Sequence, residues 1–190
     1  MKYPGDLGAA TDDEVLAATR LWLEKAVIEL DLCPFAAPVH RAGRVRMRVS
    51  AQRSAAGVLE DLRSELLDLA AADPRECETT LLIHPHSMCD FFEFNDFLAD
   101  CDSLVGRLEL EGELQVASFH PRYQFAGTSP EDIENFTNRS PYPTLHLLRE
   151  ASISRAVAGP ADPADIYRRN IETLRRLGHS GWRRLWNDEH

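Results

Sequence analysis

Two short apolar segments, each followed by a proline, place the strongest constraint on the fold of this chain. Residues 79–84, TTLLIH, form a nearly continuous apolar run, which favours a strand that is buried on both faces of a sheet. Residues 114–119, LQVASF, predict a second buried strand. Proline cannot donate to a sheet ladder, so Pro85 and Pro121 are expected to end these strands.

Alternating patterns elsewhere predict the rest of the architecture. Arginine alternates with apolar residues over 44–49, RVRMRV, as in a strand with one buried face. Apolar spacing predicts helices at residues 11–30, 55–71, 89–109 and 163–177, and Ser140-Pro141 predicts another over 141–157. We therefore expect an α/β fold, in which a small three-stranded, mainly parallel β-α-β-α-β sheet is flanked by an N-terminal helix and a C-terminal helical segment. The alternative is a ferredoxin-like α+β sheet with an antiparallel neighbour, which the alternating first strand favours.

Length and composition indicate one domain. A chain of 190 residues, 44% of them hydrophobic, can bury one substantial core, so residues 1–190 are predicted to form a single domain with a loose arm at 1–10. No apolar run approaches the ~18 residues of a membrane helix, and the first residues lack a signal peptide's apolar core. We therefore expect a cytoplasmic protein without a membrane partner. A net charge of −10 also argues against nucleic acid as a partner.

About twenty residues with little hydrophobic periodicity follow the second apolar strand. Loops longer than ~12–15 residues are uncommon inside compact domains, and are usually either functional or disordered. This segment is rich in Phe, Tyr, Asn and Arg, which is not the composition of a disordered chain. We predict that residues 120–141 form a long, ordered, functional loop.

Histidines lie at the predicted carboxyl ends of both apolar strands. If these strands are parallel, His84 and His120 share the sheet edge where open α/β folds bind ligands. His146 and Glu150 are four residues apart on the predicted helix, so they share a face and could ligate one ion. The four side chains would suit zinc, iron or manganese. Alternatively, His84 and His120 are catalytic acid–base groups, since imidazole titrates near neutral pH.

Polar and cationic side chains around the loop form a second candidate group: Arg122, Tyr123, Gln124, Asn135, Asn138, Arg139 and Arg149. The planar guanidinium group fits a carboxylate or phosphate, and a helix start near residue 140 would favour an anion. We predict that Arg139 and Arg149 are catalytic residues that orient an anionic substrate. Substrate binding is assigned to Arg122, Tyr123, Gln124, Asn138 and Arg139. Alternatively, these groups only satisfy the backbone of the loop.

Cysteine usage supplies a third candidate. The four cysteines form no Cys-x-x-Cys pair, so neither a zinc knuckle nor a redox dithiol is indicated, and free thiols are expected. Cys33 lies just past the end of the first predicted helix. This is the wrong end of a helix for lowering a thiol pKa, so a buried structural thiol is favoured. The alternative is a nucleophile that a histidine or arginine brought near by the fold would activate.

Five segments of the chain are specific motifs: residues 32–35 (LCPF), 79–85 (TTLLIHP), 115–121 (QVASFHP), 123–125 (YQF) and 137–150 (TNRSPYPTLHLLRE). Together they resemble the bacterial family called domain of unknown function 1415, over about residues 19–182. The resemblance implies a single-domain, cytosolic bacterial protein. It implies no established activity, substrate or cofactor.

The leading hypothesis is an enzyme with a His/Glu/Arg site at the carboxyl edge of the sheet, acting on an anionic small molecule. In a metal-dependent version, an activated water would carry out hydrolysis, or iron would carry out an oxidation. The alternative is a non-catalytic protein that binds an anionic metabolite or a protein partner.

Overall fold

The computed structural model describes residues 10–157 and 163–186, so most of the predicted loose arm lies outside the described residues. The helices are α1 (Asp12–Trp22), α2 (Ala36–Arg41), α3 (Ala55–Ala71), α4 (Phe91–Arg107), α5 (Glu150–Val157) and α6 (Pro163–Arg184). A π-helical turn (Leu23–Ile28) continues α1, and a 3₁₀ helix (Ile133–Asn138) lies in the long loop. The strands are β1 (Val45–Val49), β2 (Thr79–Ile83), β3 (Leu114–Phe119) and β4 (Thr144–Arg149).

The sheet is mixed and has four strands in the order β1-β2-β4-β3. β1 pairs with β2 in parallel, and β4 lies antiparallel between β2 and β3. The α/β class is confirmed, but the predicted three-stranded sheet is wrong in strand number and order. The ferredoxin-like alternative does not describe the sheet either. β1, β2 and β3 all run in the same direction, and the antiparallel neighbour is a fourth strand that was not predicted.

The predicted helix over residues 141–157 is wrong in its first half, which forms β4. Ser140 does not cap a helix, because its hydroxyl donates to the Tyr142 carbonyl at 2.6 Å. β4 instead places its backbone groups in ladders with β2 on one side and β3 on the other. This pairing overrides the local helix signal, as tertiary context often does. Only Glu150–Val157 is helical.

Side-chain caps and one glycine define the other helix ends. Thr11 and Glu14 form a capping box, with the Thr11 backbone N–H donating to the Glu14 carboxylate at 2.8 Å. The hydroxyl of Ser54 caps α3, and the carboxylate of Asp90 caps α4. Gly178 has φ of 63° and interrupts the helical backbone of α6, at the place where that helix was predicted to end.

The sheet carries helices on both faces. α3 and α4 pack on one face, over a core that includes Leu82, Leu145 and Leu147. α1, the π-helical turn and α6 cover the other face, with Trp22 and Leu81 among the buried side chains. Among the described residues, no helix combines the length and apolar character that crossing a membrane requires.

Arg149 joins β4 to the end of α3. Its Nη2 group lies 2.6 Å from the carbonyl oxygen of Leu69, 2.8 Å from that of Ala72 and 3.3 Å from that of Cys77. The last carbonyls of a helix have no partner within the helix, so this buried guanidinium caps α3. The geometry gives Arg149 a structural role.

Replacing this cap is expected to destabilise the fold. Arg149→Met removes the donor from buried carbonyls, so the free energy of unfolding should fall by on the order of 3 kcal/mol in urea denaturation. The control is Arg63→Met, an exposed arginine on α3, which should change it by less than ~0.5 kcal/mol. A loss below ~1 kcal/mol for Arg149→Met would contradict the capping role.

Candidate functional site

The structure brings two of the predicted site histidines together. His84 follows β2 and His120 follows β3, and both are fully buried. Their rings pack against Phe94 of α4, with centroid distances of 5.5 Å for His84 and 5.2 Å for His120. Because β2 and β3 run in the same direction, both histidines lie at the same edge of the sheet.

Hydrogen bonds determine which ring nitrogen carries the proton in His84 and in His120. The Nδ1 atom of His120 accepts the backbone N–H of Arg122 at 3.0 Å, so Nε2 carries the proton and donates to the Met88 carbonyl at 3.2 Å. His120 therefore has no lone pair left for a metal ion. His84 donates through Nδ1 to the Ser87 carbonyl at 3.2 Å. Its Nε2 is buried and has no partner among the described residues.

Burial keeps both imidazoles neutral at pH 7. Desolvation is the main cause that lowers the pKa of His84 to about 4, and His120 adds a smaller electrostatic contribution. Desolvation also lowers the pKa of His120 to about 4, with smaller contributions from Arg122 and Arg139. These groups would act as buried hydrogen-bonding elements rather than as acids that are charged near neutral pH.

His146 lies elsewhere, near the middle of β4. It pairs with Leu81 on β2 and with Ala117 on β3, and its ring lies 6.0 Å from that of Phe119. Side chains alternate along a strand, and this position faces the α1 side of the sheet rather than the α4 side. His146 therefore does not join His84 and His120.

Glu150 is separate from all three histidines. It begins α5, where its backbone N–H donates to the Glu113 carbonyl at 2.9 Å. His146 and Glu150 do not share a helix face, because His146 lies on a strand. No group of three or more His, Cys, Asp or Glu side chains in the described parts of the chain could hold a metal ion. The predicted four-residue metal shell is not assembled.

Polar side chains of the long loop bond the loop's own backbone. Asn135 is fully buried, accepts the Phe125 N–H at 2.9 Å and donates to the Ser129 carbonyl at 2.8 Å. Gln124 donates to the Thr128 carbonyl at 2.5 Å. These amides therefore satisfy the backbone of the loop.

Arg139 and Asn138 are engaged in the same way. Arg139 donates through Nε to the Tyr123 carbonyl at 3.3 Å, and through Nη2 to the Pro130 carbonyl at 2.5 Å. Asn138 donates to the Ser118 carbonyl of β3 at 3.2 Å. The structure places these predicted substrate-binding groups on backbone carbonyls.

Arg122 and Tyr123 bind the loop to the start of α4. The Arg122 guanidinium donates to the Cys89 carbonyl and lies 3.7 Å from the Asp90 carboxylate. The Tyr123 ring packs against Phe91, with a centroid distance of 5.1 Å. Both contacts hold the loop against the helix.

A pocket with a cavity volume of about 100 Å³ lies on the other face of the sheet, and we call it the sheet pocket. The π-helical turn contributes Leu23 and Val27, and the sheet contributes Leu81, Phe119 and His146. The other lining residues are Trp22, Cys33, Phe35, Ala36, Val39, Val45, Glu78, Thr79, Leu148, Arg149, Ser152 and Ile153. The lining is mainly apolar and aromatic, as in many small-molecule sites.

Cys33 lies in the wall of this pocket. It is half-buried, and desolvation raises the pKa of its thiol above the ordinary value, although backbone N–H groups of Phe35 and Ala36 oppose the shift. The thiol is therefore protonated at neutral pH, which does not favour an activated nucleophile.

Most of the sheet pocket was missed from the sequence. Trp22, Leu81 and Phe119 have the pattern of ordinary core residues, and His146 was assigned to a helix. One signal was available in retrospect. Four segments quoted for the family resemblance, residues 32–35, 79–85, 115–121 and 137–150, all contribute lining residues.

Fold and site together define a mixed α/β protein with a mainly apolar pocket on one face of its sheet. The chain belongs to the family described as Protein of unknown function (DUF1415), which matches residues 14–184. This confirms the resemblance found in the sequence. No curated protein and no solved structure matches the chain significantly.

The buried state of His84 predicts a loss of stability in acid. The folded-state pKa is about 4, below the ~6.5 of an unfolded histidine, so stability is full above pH 6.5 and falls as pH drops toward 4. His84→Asn keeps a donor near Ser87 but does not titrate. When the pH falls from 7 to 4.5, the free energy of unfolding should decrease by about 2 kcal/mol less in His84→Asn than in the wild type.

Urea denaturation at a series of pH values measures this difference. His86→Asn is the matched control, because His86 is a half-buried histidine two residues away, and it should follow the wild-type curve. Parallel curves for His84→Asn and the wild type would show that His84 is not held neutral by the fold.

The protonated thiol of Cys33 predicts slow alkylation that depends on pH. Only the thiolate reacts, and its pKa is raised, so the iodoacetamide rate at Cys33 should rise about tenfold per pH unit between pH 7 and 8.5. Peptide mass spectrometry resolves Cys33 from the other cysteines. The urea-unfolded chain is the control and should react faster. A rate that levels off below pH 8 would instead indicate an activated thiolate.

Proposed function

We propose that the protein binds a small, mainly apolar and uncharged molecule in the sheet pocket. The observation that carries the proposal is the pocket itself. Protein interiors are close-packed and contain few voids larger than a water molecule, whereas an apolar cavity of roughly 150 Å³ can bind a molecule of the size of benzene. The cavity of about 100 Å³ against the central strands approaches that size, and it is far larger than the roughly 10–15 Å³ that one water molecule needs.

The helix beside the pocket supports this proposal. Leu23 and Val27 line the pocket from the π-helical turn that continues α1. Such turns are rare and frequently occur at functional sites. The turn widens the helix at the point where it borders the cavity.

The charges around the pocket favour an uncharged ligand. The Nη2 group of Arg149 is occupied by the carbonyls at the end of α3. The Glu78 carboxylate accepts hydrogen bonds from Arg44 at 3.3 Å and from the hydroxyl of Ser152. An anion would therefore lie beside a carboxylate without a dedicated cation. The anionic substrate or metabolite expected from the sequence finds no support in this lining.

Catalysis at the carboxyl edge of the sheet finds less support than binding in the pocket. His84 and His120 are fully buried, and His120 uses both ring nitrogens on backbone groups. The enzyme hypothesis and its metal-dependent version stay predictions. The sheet pocket offers space for a molecule, whereas that edge is filled by Phe94 and the loop.

A fluorescent probe tests this proposal. N-phenyl-1-naphthylamine is uncharged and emits strongly in apolar surroundings, so the wild-type protein should enhance its fluorescence in a saturable way. Ala36→Trp adds an indole to the pocket wall and should weaken probe binding by at least about tenfold, since the added ring occupies the space of the ligand.

The control for this titration is Leu67→Trp, which adds an indole at an exposed position of α3 outside the pocket lining. It should bind the probe like the wild type. Circular dichroism establishes that both variants fold. No saturable signal with the wild type, or equal affinity in Ala36→Trp, would refute binding in the sheet pocket.

A further inference from the structure

A short hydrogen-bonded chain determines which ring nitrogen of His146 carries the proton. The Thr79 hydroxyl lies 2.5 Å from the carbonyl oxygen of Leu147, which can only accept a hydrogen bond. The single hydroxyl proton of Thr79 therefore points to Leu147. The Nε2 atom of His146 lies 2.8 Å from the same Thr79 oxygen, so Nε2 must donate to it.

The other ring nitrogen of His146 is consequently an acceptor. Burial lowers the pKa of His146 to about 4, and a neutral imidazole has one N–H, which here is on Nε2. Nδ1 therefore has a lone pair, and among the described residues His146 makes no hydrogen bond besides the one to Thr79. Among the described residues, some polar atoms are fully enclosed and lack a hydrogen-bond partner, and Nδ1 of His146 is not one of them. His146 borders the sheet pocket, which leaves the pocket as the place for a donor.

Two polar side chains of the pocket lining do not supply such a donor. The indole N–H of Trp22 donates to the Arg139 carbonyl at 2.8 Å. The hydroxyl of Ser152 donates to the Glu78 carboxylate. Both side chains line the pocket, but their protons point to other acceptors.

We propose that the ligand of the sheet pocket carries an O–H or N–H group that donates a hydrogen bond to Nδ1 of His146. This inference rests on the proposed binding function and specifies the ligand class: an uncharged, mainly apolar molecule with one donor, such as a phenol. The ring of Phe119, 6.0 Å from His146 and 5.1 Å from Trp22, gives the body of the ligand an aromatic surface. Thr79 acts as a positioning residue that keeps the acceptor directed to the ligand.

A pair of matched ligands separates the donor from the apolar body. We would measure the dissociation constants of 1-naphthol, which has a donor, and 1-methoxynaphthalene, which has none, by displacement of N-phenyl-1-naphthylamine. A change in pocket shape affects both ligands, so it cancels in the ratio of the two dissociation constants. The ratio should favour naphthol about tenfold more in the wild type than in His146→Phe, a variant that keeps an aromatic ring but has no acceptor.

Two threonine variants test the positioning role. Thr79→Val keeps the shape of the side chain and removes the group that holds the Nε2–H form. Nitrogen NMR of the histidine rings should show the Nε2–H form of His146 in the wild type and a mixture of tautomers in Thr79→Val, with a reduced preference for naphthol. Thr80→Val is the matched control on the opposite face of β2, and its preference should equal that of the wild type.

The outcomes distinguish this inference from the function on which it rests. If N-phenyl-1-naphthylamine does not bind, both the pocket function and the donor inference are refuted. If it binds but neither naphthalene displaces it, the donor inference is refuted while pocket binding stands. If both bind and the ratio is the same in the wild type and His146→Phe, the donor inference is refuted while pocket binding stands. An Nδ1–H form of His146 in the wild type would also refute the donor inference.

Discussion

The antiparallel insertion of β4 between β2 and β3 is the constraint on which the rest of the structure depends. β2 and β3 run in the same direction but do not pair with each other, because β4 lies between them and forms a ladder with each. Its alternate side chains then connect the two halves of the protein. Arg149 reaches α3 on one face, and His146 reaches the sheet pocket on the other. The carbonyl of Pro143, just before β4, also accepts the backbone N–H of His84.

This insertion explains which parts of the fold could be predicted from the sequence. β1, β2 and β3 were predicted because their apolar patterns and flanking breakers are local signals. The residues of β4, TLHLLR, lack strict alternation and follow a Ser-Pro pair that is typical of a helix start. Only the pairing partners on both sides make this segment a strand. Those partners are distant along the chain, so no local pattern reports them.

The candidate site, like the fold, could be predicted only where local sequence patterns report it. The shared edge of His84 and His120 followed from two parallel strands, and the structure places both residues there. Whether a ring nitrogen is free is a separate question, decided by backbone atoms of Met88 and Arg122 that pattern analysis does not locate. Similarly, Arg139 was expected to bind an anion, but it donates to carbonyls of its own loop. A long ordered loop needs many internal donors, and residue type alone does not separate that use from ligand binding.

Among the described residues, His84 and His146 each retain one ring nitrogen without a hydrogen bond, and their surroundings give the two atoms different consequences. Nε2 of His84 is enclosed beside Phe94, where it only adds to the cost of burying a polar group. Nδ1 of His146 belongs to a residue that borders a cavity of molecular size. A ligand can donate a hydrogen bond to an acceptor that borders a cavity. Leaving that acceptor unpaired costs free energy, so the site favours ligands that carry a donor over ligands that do not. The face of the sheet opposite the histidine pair is therefore the better location for recognition.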